Sequence, residues 1–104
     1  AEAKGEIINN IEKNGTIILN YDDKFFEYLS KKSKLKKLDI VSFGFNKKSD
    51  VYPIFISQKN KFKILSIKVK DEIVKLEVKN INIYNVLSSL ALLKALNLNL
   101  INEQ

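Results

Sequence analysis

Few side chains in this chain can do chemistry, and most of them are amides or carboxylates. Asn20-Tyr21-Asp22-Asp23 places an amide and two adjacent carboxylates behind a short apolar run. If that run is a strand, the cluster sits at its carboxyl end, where open α/β sheets gather ligands. An Asp in a strand-to-helix turn is equally a helix cap. Asn80, Asn82 and Asn85 form a second group. An amide offers a donor and an acceptor together, so this spacing can read the polar edge of a planar base; the same residues can also cap a helix. Lys4 lies between Glu2 and Glu6 and by itself reads as surface decoration.

Other chemistries are excluded by composition. The 104 residues contain no Cys and no His. Disulfides, thiolate nucleophiles, Ser-His pairs and nearly all zinc sites are thereby removed. The three glycines, Gly5, Gly15 and Gly44, are too far apart for a phosphate-cradling loop. The net charge is +6, and all 18 basic residues are Lys. A basic domain suggests nucleic acid. The complete lack of Arg, the usual bidentate reader of phosphate and guanine, argues against it. Abundant Lys, Asn and Ile share A- and T-rich codons, which accounts for the charge without a polyanionic partner. No apolar run approaches the roughly 20 residues that cross a bilayer, so a cytoplasmic protein without membrane contact is expected.

The elements that must position these residues follow from periodicity. Residues 2–13 read as a short helix with Ile7, Ile8 and Ile11 on one face, ended by Asn14-Gly15. Thr16–Asn20 is β-branched and apolar on consecutive positions, as in a parallel strand covered on both faces. Asp22 or Asp23 is expected to cap a helix to about Ser33, with Phe25, Phe26 and Leu29 inward. The five Lys between Lys31 and Lys37 suit its negative end. Leu38–Phe43 reads as a second strand.

Residues 51–57, 61–69 and 73–78 then read as strands, with a tight turn at Lys70-Asp71. Val74, Leu76 and Val78 alternate with Lys75 and Glu77, so one face meets a core and the other water. An apolar phase slip near Leu65 predicts a bulge. Pro53 places its strand at an edge, or itself among the strand's first residues. A helix of about fifteen residues from Asn82 closes the chain, with a stripe at Ile83, Val86, Leu87, Leu90, Leu93 and Leu96, widened by Ala91, Leu92 and Ala95. The expected fold class is α/β: a partial parallel sheet with crossover helices (αβαβ), then a small antiparallel sheet and a C-terminal helix.

Three segments, taken in order, resemble the central ATPase domain of the Mur ligases. Ala3-Lys4-Gly5-Glu6-Ile7-Ile8 looks like the family's A-K-G-E-I-F stretch. Gly15 to Asp23 is similar to its G-x-x-x-x-N-x-D-D strand end. Lys79 to Leu87 is similar to G-x-H-N-x-x-N-A-L, and Ser42-Phe43-Gly44 fits the spacing between them. The A-K-G-E-I start is most like the branch that adds D-alanyl-D-alanine to UDP-N-acetylmuramoyl-tripeptide through an acyl phosphate. The resemblance implies ATP and Mg²⁺ as cofactors of a bacterial, cytoplasmic enzyme of peptidoglycan synthesis. It places Asn82 and Asn85 on the adenine of ATP, with Asn20 and Asp22 as support. Lys4 falls where relatives carry a carbamylated lysine, and a carbamate would give Mg²⁺ an oxygen ligand. The family's Gly and His are Lys79 and Ile81 here, which alters the turn and removes a contact near the nucleotide.

The resemblance further implies that residues 1–104 are a single incomplete domain. The phosphate-loop half and the N- and C-terminal domains of a ligase are missing, so the chain alone is expected to have no catalytic residues, to be inactive and to bind no nucleotide tightly. Apolar faces that would meet absent neighbours predict self-association. Two other readings stand beside this one. One is a small basic module that binds RNA or DNA through Lys and stacked aromatics; the other is a structural or assembly domain without ligand.

Overall fold

The computed structural model describes residues 15–79 and 82–103, with side chains described as far as residue 97. The helix expected over 2–13, and Lys4 with it, lies outside the described residues, as does Asn80.

Strand β1 (Thr16–Asn20) runs parallel to β2 (Asp39–Phe43), in register from Thr16↔Asp39 to Asn20↔Phe43. Helix α1 (Phe26–Leu35) is the crossover between them. Strands β3 (Val51–Lys59), β4 (Phe62–Val69) and β5 (Glu72–Lys79) pair antiparallel, and helix α2 (Ile83–Glu103) follows. All five strands join in one mixed sheet, ordered β1-β2-β3-β4-β5. The antiparallel strands are therefore an extension of the parallel pair rather than a sheet apart. The junction is narrow: β2 meets β3 in parallel only at Phe43↔Val51.

Consecutive apolar residues in β1 do meet cover on both faces. Leu19 packs with Leu29 and Leu38 under α1, with Ile17, Phe25, Phe26 and Ile40 around them. Ile18 faces the opposite core, built from Val41, Val51, Leu65, Ile67, Val69, Val86, Leu87, Ala91 and Ala95 beneath α2. Alternation places Val74, Leu76 and Val78 of β5 against that same core.

Three local expectations change. Helix α1 starts later than a cap at Asp22 or Asp23 implies. Its N-cap is Phe25, whose N–H donates to Asp23 Oδ1 at 2.9 Å, so the carboxylate closes the preceding turn instead. The bulge lies in β3, between Pro53 and Phe55, while β4 keeps unbroken register with β5. The slip in β4 reflects two faces: Phe62 and Ile64 are exposed, whereas Leu65, Ile67 and Val69 are buried. Pro53 lies among the first residues of its strand, as one of the two expectations had it: β3 is central in the sheet, but Pro53 is its third residue and pairing with β2 stops at Val51. Finally, α2 spans 21 residues rather than about fifteen; Ile83, Val86, Leu87 and Leu90 of its expected stripe do face the core, but the stripe continues through Ala91 and Ala95 and not through Leu93 and Leu96. Its inner line runs Ile83, Leu87, Ala91, Ala95, one residue in four, and the two alanines allow close approach to the sheet. Leu93 and Leu96 turn outward, with Leu93 58% exposed. Among the described residues no helix is long and apolar enough to cross a membrane.

Candidate functional site

The chemistry-bearing residues meet where β1 and β2 end and α2 begins. Asn20 closes β1; its Oδ1 accepts the Asp22 N–H at 2.9 Å and its carbonyl the Asp23 N–H at 3.2 Å. Tyr21 stays tied to β2, its N–H donating to the Phe43 carbonyl at 2.7 Å. This turn lays the Asp22 carboxylate over the loop that leaves β2. There Oδ2 accepts the Phe45 N–H at 2.7 Å and Oδ1 the Asn46 N–H at 3.4 Å. Gly44 makes the approach possible. A Cβ on it would stand 2.8 Å from Asp22 Oδ2 and 2.9 Å from Cγ, closer than real side chains come.

A third donor reaches Asp22 from across the molecule. The Tyr84 hydroxyl, in the first turn of α2, donates to Oδ2 at 2.9 Å. The Tyr84 ring meets Phe45 edge-on, centroids 5.0 Å apart at 82°. The bond to Asp22, with lesser contributions from burial and from the Asp22 charge, raises the Tyr84 pKa above the ordinary tyrosine value of 10.0. The hydroxyl therefore remains a donor beyond the pH at which an ordinary tyrosine ionises.

The start of α2 is ordered by Asn82. Its Oδ1 accepts the Tyr84 N–H at 2.9 Å, and its carbonyl accepts the Asn85 N–H at 3.0 Å and the Val86 N–H at 3.4 Å. Asn82 is thus a helix cap, and its NH₂ is left on an exposed residue. Asn85, also exposed, borders a groove of about 250 Å³ lined by Leu76, Val86, Ser89 and Leu90. The Ser88 and Ser89 hydroxyls donate to the Asn85 carbonyl at 3.0 and 2.8 Å, which fixes that turn. Apolar walls with an amide at the rim suit a flat heteroaromatic ring.

The structure therefore brings Asn20 and Asp22 together and connects both to the helix end bearing Asn82 and Asn85. Tyr84, Phe45 and Gly44 complete the cluster and are not legible as site residues in the sequence; only Gly44 carries a local hint, as a glycine directly after a strand. Asp22 is engaged by three donors, which suits holding elements together better than moving protons. Among the described residues no group of three or more His, Cys, Asp or Glu can hold a metal ion.

Comparison with known proteins bears on the family and the fold. Residues 1–93 match the Mur ligase middle domain. The chain is 33% identical over 105 residues to the UDP-N-acetylmuramate–L-alanine ligase of Borreliella burgdorferi (strain B31), a match covering 93% of this chain and 20% of that protein. Its fold is similar to that of the UDP-N-acetylmuramoylalanyl-D-glutamyl-2,6-diaminopimelate–D-alanyl-D-alanyl ligase from Acinetobacter baumannii. There the TM-score is 0.73 at 21% identity, over 92% of this chain and 21% of that one. A structure of MurF from the same organism gives 0.72 at 22% identity, over 95% and 21%. The chain spans about a fifth of the length of these relatives.

Proposed function

The chain belongs to the Mur ligase middle-domain family, and from that premise we propose that it is part of an ATP-dependent, cytoplasmic bacterial ligase of peptidoglycan precursors, in which it supplies the adenine side of the nucleotide site. The groove between β5 and the first turns of α2, with Asn85 on its rim and the Asn82 amide nearby, is the observation that carries this reading. Leu76, Val86 and Leu90 would take the faces of the base. The amides of Asn82 and Asn85 would pair with its edge, since an Asn amide complements the donor and acceptor of adenine. Asn20 and Asp22 hold the neighbouring strand ends in place. When bound, ATP supplies the phosphoryl group that makes a substrate carboxylate an acyl phosphate, open to attack by an amine. Lys4, once carbamylated, would offer oxygen to Mg²⁺; among the described residues no group of three or more His, Cys, Asp or Glu adds a further metal cluster. The phosphate loop and the sites for the UDP-linked acid and the amine belong to the remainder of the ligase. By itself the chain is a partial wall without catalysis.

Two acceptor and donor pairs compete. The A-K-G-E-I start at Ala3–Ile7 and the fold neighbours favour D-alanyl-D-alanine joined to UDP-N-acetylmuramoyl-tripeptide. The 33% identical relative favours L-alanine joined to UDP-N-acetylmuramate. Phosphate release by the full-length ligase with each pair decides between them. Calorimetric titration of this chain with ATP and Mg²⁺ tests its own share. Weak binding that Asn85→Ala lowers about tenfold, the loss of one good hydrogen-bonding group, is expected. Tight, salt-dependent binding of an oligonucleotide with no response to ATP would instead establish the basic-module reading.

A further inference from the structure

We propose that Tyr84, Asp22 and Phe45 form a clasp that sets the rotation of the first turn of α2, and with it the aim of the amides at the adenine side. The inference rests on the adenine reading above and adds positioning residues to it.

On its inner side the first turn of α2 is held by Ile83 and Val86, which pack in the core, and the clasp adds a second, polar point of attachment. The helix is buried from Val86 inward, while Asn82 and Asn85 are exposed. Tyr84 lies between them and reaches in another direction, to a residue 62 positions earlier in the chain. Its anchor is well held. The Asp22 carboxylate already accepts two backbone N–H groups from the loop after β2, and Asn20 fixes the turn that carries it. The space it occupies exists because residue 44 is glycine. The edge-on Phe45 ring restrains the Tyr84 ring from the side. A tyrosine hydroxyl keeps its proton at neutral pH, so the bond persists there.

Geometry makes this tether consequential. A side chain on a helix lies roughly 5–6 Å from the axis, so a turn of about 20° about that axis moves an amide by roughly 2 Å. That displacement is enough to break a hydrogen bond. Adjacent residues turn together, so fixing Tyr84 fixes Asn85. Because the tether is at the surface, its contribution to global stability is small, and its effect falls on the local angle of the helix.

The test uses the full-length ligase and two probes, ATP and inosine triphosphate, which lacks the exocyclic amine of adenine. Affinity for each is measured by titration for wild type, Tyr84→Phe, Asp22→Asn and the double variant. Wild type should prefer ATP. Tyr84→Phe keeps the ring against Phe45 and should lower that preference about fivefold, as for the loss of one neutral hydrogen bond to the base. KM for ATP should rise while kcat at saturating ATP stays within about twofold. Asp22→Asn should act alike, and the double variant should lose no more than either single one. An unchanged preference in Tyr84→Phe, with wild type selective, overturns the clasp and leaves the adenine reading standing. An equal loss of both nucleotides together with a lower melting temperature shows a purely structural bond and also overturns it. A wild-type ligase that does not distinguish the two nucleotides overturns the adenine reading and the clasp with it.

Discussion

The two halves of the sheet solve the burial problem differently. Strands β1 and β2 lie between α1 and α2, so their side chains enter cores on both faces. Strands β3 to β5 are covered on one face, and the other leaves Phe55 58% and Ile73 60% exposed, beside Phe62 and Ile64. The hairpin half pairs along nearly its whole length, whereas the two halves share one bridge at Phe43↔Val51. Side chains reinforce that junction: Asp50 Oδ2 accepts the Ser42 N–H at 2.9 Å, and the Ser42 hydroxyl accepts the Asp50 N–H at 2.9 Å. Polar chemistry gathers at the double-covered half. Parallel strands end together, and their carboxyl ends open a crevice that the start of α2 can border. Antiparallel strands end in hairpins and offer a platform instead.

The largest effect should come from cutting what both halves share. Leu87 is fully buried and lies in the core beneath α2 that takes residues from both halves. Leu87→Ala should cost about 3–5 kcal/mol, read from the denaturation midpoint. A paired comparison sharpens the contrast between the halves. Leu19→Ala in β1 should cost about 2–3 kcal/mol. Phe55→Ser on the open face should stay within about 0.5 kcal/mol. Equal losses would mean that the open face is covered in the folded protein. Gly44→Ala should cost about 1–2 kcal/mol, because the new methyl displaces a carboxylate held by three donors.

Tyr84 gives a smaller effect with a defined sign. Its folded pKa is raised, so the clasp's stabilisation is complete below the ordinary value of 10.0 and is lost as pH climbs through the raised value. Alkaline titration of stability should show an extra loss above pH 10 in wild type that Tyr84→Phe lacks. The smallest stability change is expected from Leu93→Gln, on the outward face that Leu93 shares with Leu92 and Leu96. Its readout is association: the isolated chain should sediment as an oligomer and the variant as a smaller species. Identical sedimentation of the two at every concentration would show that this face is not the contact.

Much of this architecture is legible one element at a time. The β-branched run at Thr16–Asn20, the alternation of β5 and the turn at Lys70-Asp71 each have a local physical cause, and each lies where that cause puts it. The site is legible only in pieces. Asn20 and Asp22 stand out at a strand end, and Asn82 and Asn85 at a helix start, because amides and carboxylates are conspicuous there. Their connection is not, since Tyr84 and Phe45 look like ordinary aromatics and no periodicity relates positions 22, 45 and 84.

Among the described residues, sequence by itself determined the element types, their order and the parallel crossover, and it pointed to the family to which the chain belongs. These follow from local propensity, hydrophobic period and short motifs, all of which act within a few residues. Tertiary structure decided that five strands form one sheet and that the bulge falls beside Pro53. It also decided that α2 buries the line through Ala91 and Ala95 while Leu93 faces outward. A hydrophobic stripe states that a helix has an inner face, but close approach to a particular sheet chooses which stripe that is. The bond from Tyr84 to Asp22 belongs to the same class, because a contact across 62 residues exists only once both cores have set the distance between its ends.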